Sequence, residues 1–347
     1  MRFPLTLIAT SVLLVACGGG SDSAPIAGSP ASVATPNTPT PVGPSTPAAT
    51  SATLTSANYM TVAQEALSSS AFLATATEIV TGAQTSNPEV MVRFAQAQLS
   101  KLQHRLSSVP AVAVGVVSTD TVSCDGGGSL TISENDVNGN QSADSGDSGS
   151  ITATNCAFEG SLLNGELIVT FLSVTGDTNF FPFNTSASVK FNNFGAQVGL
   201  VRSVGNGTLV MSVDARAANN LFVALSTSSF GFSTVNSGVT YTKSLTNYAS
   251  SVGTSPAAGG VTSTTSTSGM LSSSAFDSKS VDIATPTPFI RAGTQAYPSS
   301  GQLLITGASG SKIRLSATSA TQIRIELDAD ANGSYETSIS KLWSEML

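Results

Sequence analysis

From Ala111 to the C-terminus, short runs alternate apolar residues with Ser or Thr and are cut by clusters of Gly, Asn, Asp and Ser. Leu167-Ile168-Val169-Thr170-Phe171, Ala187-Ser188-Val189-Lys190-Phe191, Leu209-Val210-Met211-Ser212-Val213, Leu221–Leu225 and Val239–Lys243 are examples. Side chains of a strand point to opposite faces in turn, so this period-two pattern predicts strands with one covered and one wet face. The last such segment reads as a meander over 301–306, 312–317, 322–327 and 336–339. Around a dozen strands in one sheet must curl, split or close to manage their edges. The expected fold is therefore mainly β: a large curved or barrel-like antiparallel sheet with an N-terminal helix pair packed on it. Aromatic girdles are absent, which argues against a membrane barrel.

A phrase recurs in this region, glycine followed by any residue and then leucine: Gly165-Glu166-Leu167, Gly207-Thr208-Leu209, Gly269-Met270-Leu271 and Gly301-Gln302-Leu303. Each follows a turn signal, and each is expected to open a strand in a succession of hairpins. The irregular spacing excludes a strict solenoid or propeller repeat.

Between residues 55 and 106 the period changes. Ser56 is expected to cap a first helix carrying Met60, Ala63, Ala66, Leu67, Leu73 and Ile79. Asn87-Pro88-Glu89 is a second start signal, an N-cap followed by proline at the first helical position and then an acid. Met91, Phe94, Ala95, Gln98, Leu102 and Leu106 follow on one face, and this helix should end near Ser107–Pro110. Both helices are expected to pack on the sheet. The one histidine, His104, falls on the polar face of the second helix.

Cys124 and Cys156 bracket two short alternating runs, Leu130–Ile132 and Ile151–Ala153, and are placed just outside those strands. A disulfide is the expected state, with a metal pair or two free thiols as alternatives. Between the runs lies the acidic tract Asp136–Asp147. Calcium takes six to eight oxygens, and a twelve-residue loop supplies them from positions 1, 3, 5, 7, 9 and 12. Those positions hold Asp136, Asn138, Asn140, Ser142 (through its carbonyl), Asp144 and Asp147. The stretch resembles a dockerin-type calcium loop, departing from it at Gln141, where the pattern has glycine. A solvated turn is the alternative. A second candidate offers Asp328, Asp330, Asn332 and Glu336 around Gly333. With Ile339 at position twelve, it is either a shortened calcium loop or an Asn-Gly hairpin turn.

The N-terminus carries Met1-Arg2 and an apolar run over 5–16, too short to span a bilayer and suited to a signal peptide. It ends Leu14-Val15-Ala16-Cys17, which resembles a bacterial lipobox. The resemblance implies cleavage before Cys17, acylation of that cysteine and, with Gly18 following, an outer-membrane destination in the cell envelope. Residues 17–54 read as a Pro/Thr/Ser-rich tether, 55–110 as the helix pair and 111–347 as the β body, one domain with the helices. The layout as a whole resembles uncharacterised proteobacterial outer-membrane lipoproteins.

A net charge of −7 with only 14 Lys and Arg argues against nucleic acid as a partner. Gly146-Asp147-Ser148-Gly149-Ser150 resembles the nucleophile motif of trypsin-like proteases, but the histidine motif that this chemistry needs is absent. Gly126-Gly127-Gly128 lacks the Lys-Ser/Thr of a phosphate loop. The expected role is non-enzymatic, a structural or surface-interaction lipoprotein anchored in the membrane through Cys17, with calcium in its loops and an envelope protein as partner. A carrier of apolar ligands is the alternative, with Phe171, Phe180, Phe181, Phe183, Phe191, Phe194, Phe222, Phe230 and Phe232 as candidate cavity or core residues. A hydrolase is the lesser alternative.

Overall fold

The computed structural model describes residues 50–74, 87–106, 117–177, 180–258 and 260–347. The signal segment, Cys17, the tether up to residue 49, Ile79 and the 107–110 helix end lie outside the described residues, as do the side chains of Leu73 and Asn87. Residues 48–347 form one compact unit.

Among the described residues two helices, α1 (Tyr59–Ala74) and α2 (Asn87–Leu106), precede fourteen strands. These are β1 (Val117–Ser123), β2 (Ser129–Asn135), β3 (Ser148–Phe158), β4 (Ser161–Thr175), β5 (Phe183–Val198), β6 (Val201–Ala217) and β7 (Asn220–Asn236). The remainder are β8 (Val239–Ala257), β9 (Gly260–Ser273), β10 (Lys279–Ala292), β11 (Ser300–Thr306), β12 (Lys312–Ala317), β13 (Gln322–Asp328) and β14 (Thr337–Leu342). All fourteen lie in one antiparallel sheet in sequence order, each hydrogen-bonded to the next. Among the described residues the sheet is open, with β1 paired only to β2 and β14 only to β13. The expected mainly-β architecture with a helix pair on the sheet is what the chain adopts.

Alternation decides which face the helices cover. Along β2 the positions alternate between half-buried and buried, with Leu130 and Ile132 inside, and β12 repeats this with Ile313 and Leu315. The α2 stripe of Met91, Phe94, Ala95, Gln98, Leu102 and Leu106 is buried throughout, while His104 is exposed. This helix lies against β2–β6, and α1 lies against β8, β9 and β12. Fourteen strands at about 4.8 Å spacing would make a flat sheet roughly 60 Å wide. Two helices of about 10–12 Å diameter cannot cover that width. Yet inner residues from β2 through β13 form one cluster with both helices, so the sheet curls around them.

The recurrent glycines help to produce the curl. Gly165 and Gly207 lie well inside β4 and β6 rather than opening hairpins, and Gly269 lies inside β9; only Gly301 stands near a strand start. Gly165 has φ +108° and Gly207 φ +123°, and a Cβ on either would strike the neighbouring strand's backbone at 2.3 Å and 2.6 Å. Pairing slips beside them, between Ala153 and Cys156 and between Phe191 and Phe194. At each slip an asparagine with positive φ (Asn155, Asn193) donates its N–H to the side-chain oxygen of the asparagine before the glycine (Asn164, Asn206), both at 2.9 Å. An extra residue opposite a glycine bends and twists a strand, so these phrases are bends within long strands.

Three boundaries differ from the sequence-based expectation, and one of them is the last strand, which runs Thr337–Leu342 rather than over 336–339. The first helix starts at Tyr59, after a turn in which the Asn58 side chain accepts from the Thr55 N–H at 2.9 Å and donates to the Thr53 carbonyl; Ser56 is not its cap. Residues 50–54, assigned by composition to the tether, belong to the folded body. Ser51 forms a parallel bridge with Ser280, the Ala52 carbonyl accepts from Ala308 N–H at 2.7 Å, and Leu54 is fully buried.

Candidate metal-binding loops

Cys124, in the turn after β1, is joined by a disulfide to Cys156, with Cα atoms 5.5 Å apart. The expected pairing holds, although Cys156 lies within β3 rather than beyond it. The bridge ties the β1–β2 turn to β3 at one end of the sheet.

The loop between β2 and β3 winds around its own carboxylates. Asp136 accepts from Gly139 N–H (2.7 Å) and Gln141 N–H (2.9 Å). Asn138 and Asn140 each accept from the N–H two residues on. Their amides both donate to one oxygen of Asp144, whose other oxygen is buried without a hydrogen-bond partner. Asp147 is fully buried and accepts from Val137 N–H and Asp144 N–H, both at 2.9 Å. Burial pushes its carboxyl above the usual range; the two N–H groups oppose that shift, and the charges of Asp144 and Asp136 reinforce it. Ser142 is exposed.

The loop between β13 and β14 repeats this winding in fewer residues. Asp328 accepts from Gly333 N–H five residues on, as Asp136 does from Gln141. Asp330 and Asn332 accept from the N–H two residues on, as Asn138 and Asn140 do. Positive φ recurs at the fourth and sixth positions, Gly139 and Gln141 in one loop and Ala331 and Gly333 in the other. Glu336 at position nine accepts from Ala329 N–H at 3.0 Å, the contact that Asp147 makes to Val137 from position twelve. The longer glutamate side chain thus closes the shorter loop.

The two loops differ in how their acids converge. Among the described residues, one group of three carboxylates, Asp328, Asp330 and Glu336, brings ligand atoms within 4.8 Å of one another and could hold a metal ion. Asp330 and Glu336 are exposed, whereas Asp328 is 1% exposed and one of its oxygens has no hydrogen-bond partner. A buried carboxylate oxygen without a donor is costly, and a cation would remove that cost. Asn332 accepts from Ser334 N–H at 2.7 Å through Oδ1 and donates its amide to Asp330 at 2.8 Å.

Other candidates fall to structural roles. Asp147 and Gly149 of the protease-like motif are a loop-closing carboxylate and a contact point for α2, since a Cβ on Gly149 would meet Leu102 at 2.9 Å. Phe171, Phe191, Phe194 and Phe230 are core: Phe94 stacks on Phe194 at 5.5 Å, and Phe191 meets Phe194 and Phe230 edge-on. Phe180, Phe181 and Phe222 are exposed, and Phe183 and Phe232 are half-buried.

Sequence spacing gave no sign of a Ser68–Lys243–Glu65 cluster between α1 and β8. Lys243 Nζ lies 2.8 Å from Ser68 Oγ and 2.9 Å from Glu65, which also accepts from Ser273. Ser68 donates in turn to the Glu65 carbonyl. The cluster pins α1 to the sheet. No family model, no curated protein and no solved structure matches the chain.

Proposed function

We propose that this chain is an exported, lipid-anchored protein of the bacterial cell envelope, with a non-enzymatic scaffold or surface-contact role and calcium bound at Asp328, Asp330, Asn332 and Glu336. The Cys124–Cys156 disulfide is the observation that carries the placement. Structural disulfides persist in oxidising compartments, and this pairing leaves Cys17 of the lipobox as the one remaining cysteine. Calcium suits the four side chains because all offer oxygen to a hard cation, and exported calcium sites commonly work at about 10⁻⁴–10⁻³ M. The 136–147 loop shares the winding and is the second candidate for the same ion.

A scaffold role is supported by how the sheet is finished. Its inner face is filled by the phenylalanine cluster and the helices, and its outer face carries hydroxyl and amide pairs such as Thr121–Thr131 and Asn192–Glu166. The test is metabolic labelling with a clickable palmitate analogue in a Gram-negative host, comparing wild type with Cys17→Ser. Label on the wild type alone, recovered with outer membranes, is the expected result. Equal label in both, or a wild-type protein that stays soluble and unlabelled, overturns the anchor.

A further inference from the structure

The loop that gathers Asp328, Asp330 and Glu336 also connects the sheet to its last strand. Asp328 is the final residue of β13, and Glu336 immediately precedes Thr337, which opens β14 in register with Leu327. Among the described residues β14 has a strand on one side only, and its residues are exposed or half-buried. Apart from its six register pairs with β13, its hold on the body rests on its two ends. At the far end Trp343 is buried, donating from Nε1 to the Ser319 carbonyl at 3.2 Å and from its backbone N–H to the Thr321 carbonyl. The indole stacks on Tyr297 and meets Phe289 edge-on, and Met346 is buried beyond it. The near end is the acidic loop, where Tyr335 packs under the Arg314 guanidinium, 4.0 Å from its ring centre.

We infer that a divalent cation in the 328–336 loop is the clasp that seats β14 and the Trp343 segment on the open edge of the sheet. The clasp rests on the calcium assignment proposed above. Three carboxylates whose ligand atoms converge within 4.8 Å repel one another, and the buried, unpartnered oxygen of Asp328 cannot shed its charge into water. A cation turns that repulsion into attraction and holds Glu336 beside Asp328, one residue before the Leu327–Thr337 pair at which β14 begins. Without it, β14 opens from its Thr337 end and the Trp343 segment loses the strand that leads into it. An ion that binds only the closed form suppresses opening by one plus the ratio of its concentration to Kd, about 11-fold at ten times Kd.

The test uses the full chain in detergent micelles, with calcium chloride or a chelator. Terbium luminescence reports occupancy, hydrogen exchange reports β14, and iodide quenching reports Trp343, the single tryptophan. The expected result is terbium binding displaced by calcium, with β14 exchange slowed about tenfold and Trp343 quenching reduced. Central strands such as β7 and β8 should not change. Asp328→Asn and Glu336→Gln, which keep side-chain shape, should lose both responses. Binding with unchanged β14 exchange and Trp343 quenching overturns the clasp and leaves the site standing. No displaceable terbium at millimolar concentration overturns the site and the clasp together. Responses that persist in Asp328→Asn place their source elsewhere and also overturn the clasp.

Discussion

Tyr248 is fully buried beneath α1 and donates its hydroxyl to the Ser69 carbonyl at 3.0 Å. Burial pushes the phenol well above its ordinary pKa, with hydrogen bonds to Thr267 and Ser70 partly opposing the shift. A folded-state pKa raised above the unfolded value of about 10 means stability that is intact below pH ~10 and lost as pH climbs towards the folded value. Tyr248→Phe should cost about 1 kcal/mol at pH 7 through the lost hydrogen bond, and its stability should then fall less steeply than wild type above pH ~10. Urea midpoints from pH 7 to 11 check this, and parallel alkaline limbs would count against it. Gln141 sits at φ +59° in the position where Gly333 stands in the other loop. A left-handed side chain costs about 1–2 kcal/mol, partly offset by the entropy that glycine loses on folding, so Gln141→Gly should raise stability by up to about 1 kcal/mol in denaturant titrations.

At the scale of elements, bends and staples hold the long strands. Gly207 combines a positive φ with a Cβ position 2.6 Å from the Ser229 carbonyl, whereas Gly199, in the β5–β6 turn at φ +56°, has open space. Gly207→Ala should therefore destabilise by roughly 3–4 kcal/mol, and Gly199→Ala by only about 1, in thermal or urea melts. Equal effects would show that the bend carries no special constraint. Replacing both Cys124 and Cys156 by serine opens a loop whose ends are 32 residues apart, worth about 3–4 kcal/mol in the chain-entropy model. The same fall should appear when the wild type is melted with reductant, and a reduced wild type as stable as the oxidised one would remove the staple. The strand pattern was legible because period-two alternation is a local property. The in-strand bends were not, because glycine after Asn or Ser is as good a signal for a turn as for a bulge. Only the neighbouring strand, with Asn155 or Asn193 opposite, tells the two apart.

Across the described molecule, one core joins both helices to the sheet, and Phe94 of α2 is buried in it, in contact with Phe158 and Phe194. Phe94→Ala should cost about 3–5 kcal/mol and lower the far- and near-ultraviolet circular dichroism transitions together. Separated transitions would mean that the helices and sheet unfold as distinct units. Taken alone, the sequence determined the class of fold and the buried face of α2, and it pointed to the disulfide partners and to the 328–336 loop as one that could hold a metal ion, because these follow from spacing within a few residues. The tertiary structure decided what depends on distant neighbours. It leaves the sheet open, with β1 and β14 as edges, and embeds Leu54 in the body. Of the two similar acidic loops, it is the shorter whose carboxylates converge, because Glu336 is brought back to Asp328 by the pairing of β14 with β13. Burial of Asp328 at the end of β13 is set by the strands and the loop packed around it, and it leaves one oxygen of Asp328 unpartnered in a loop whose three acids could hold a metal ion.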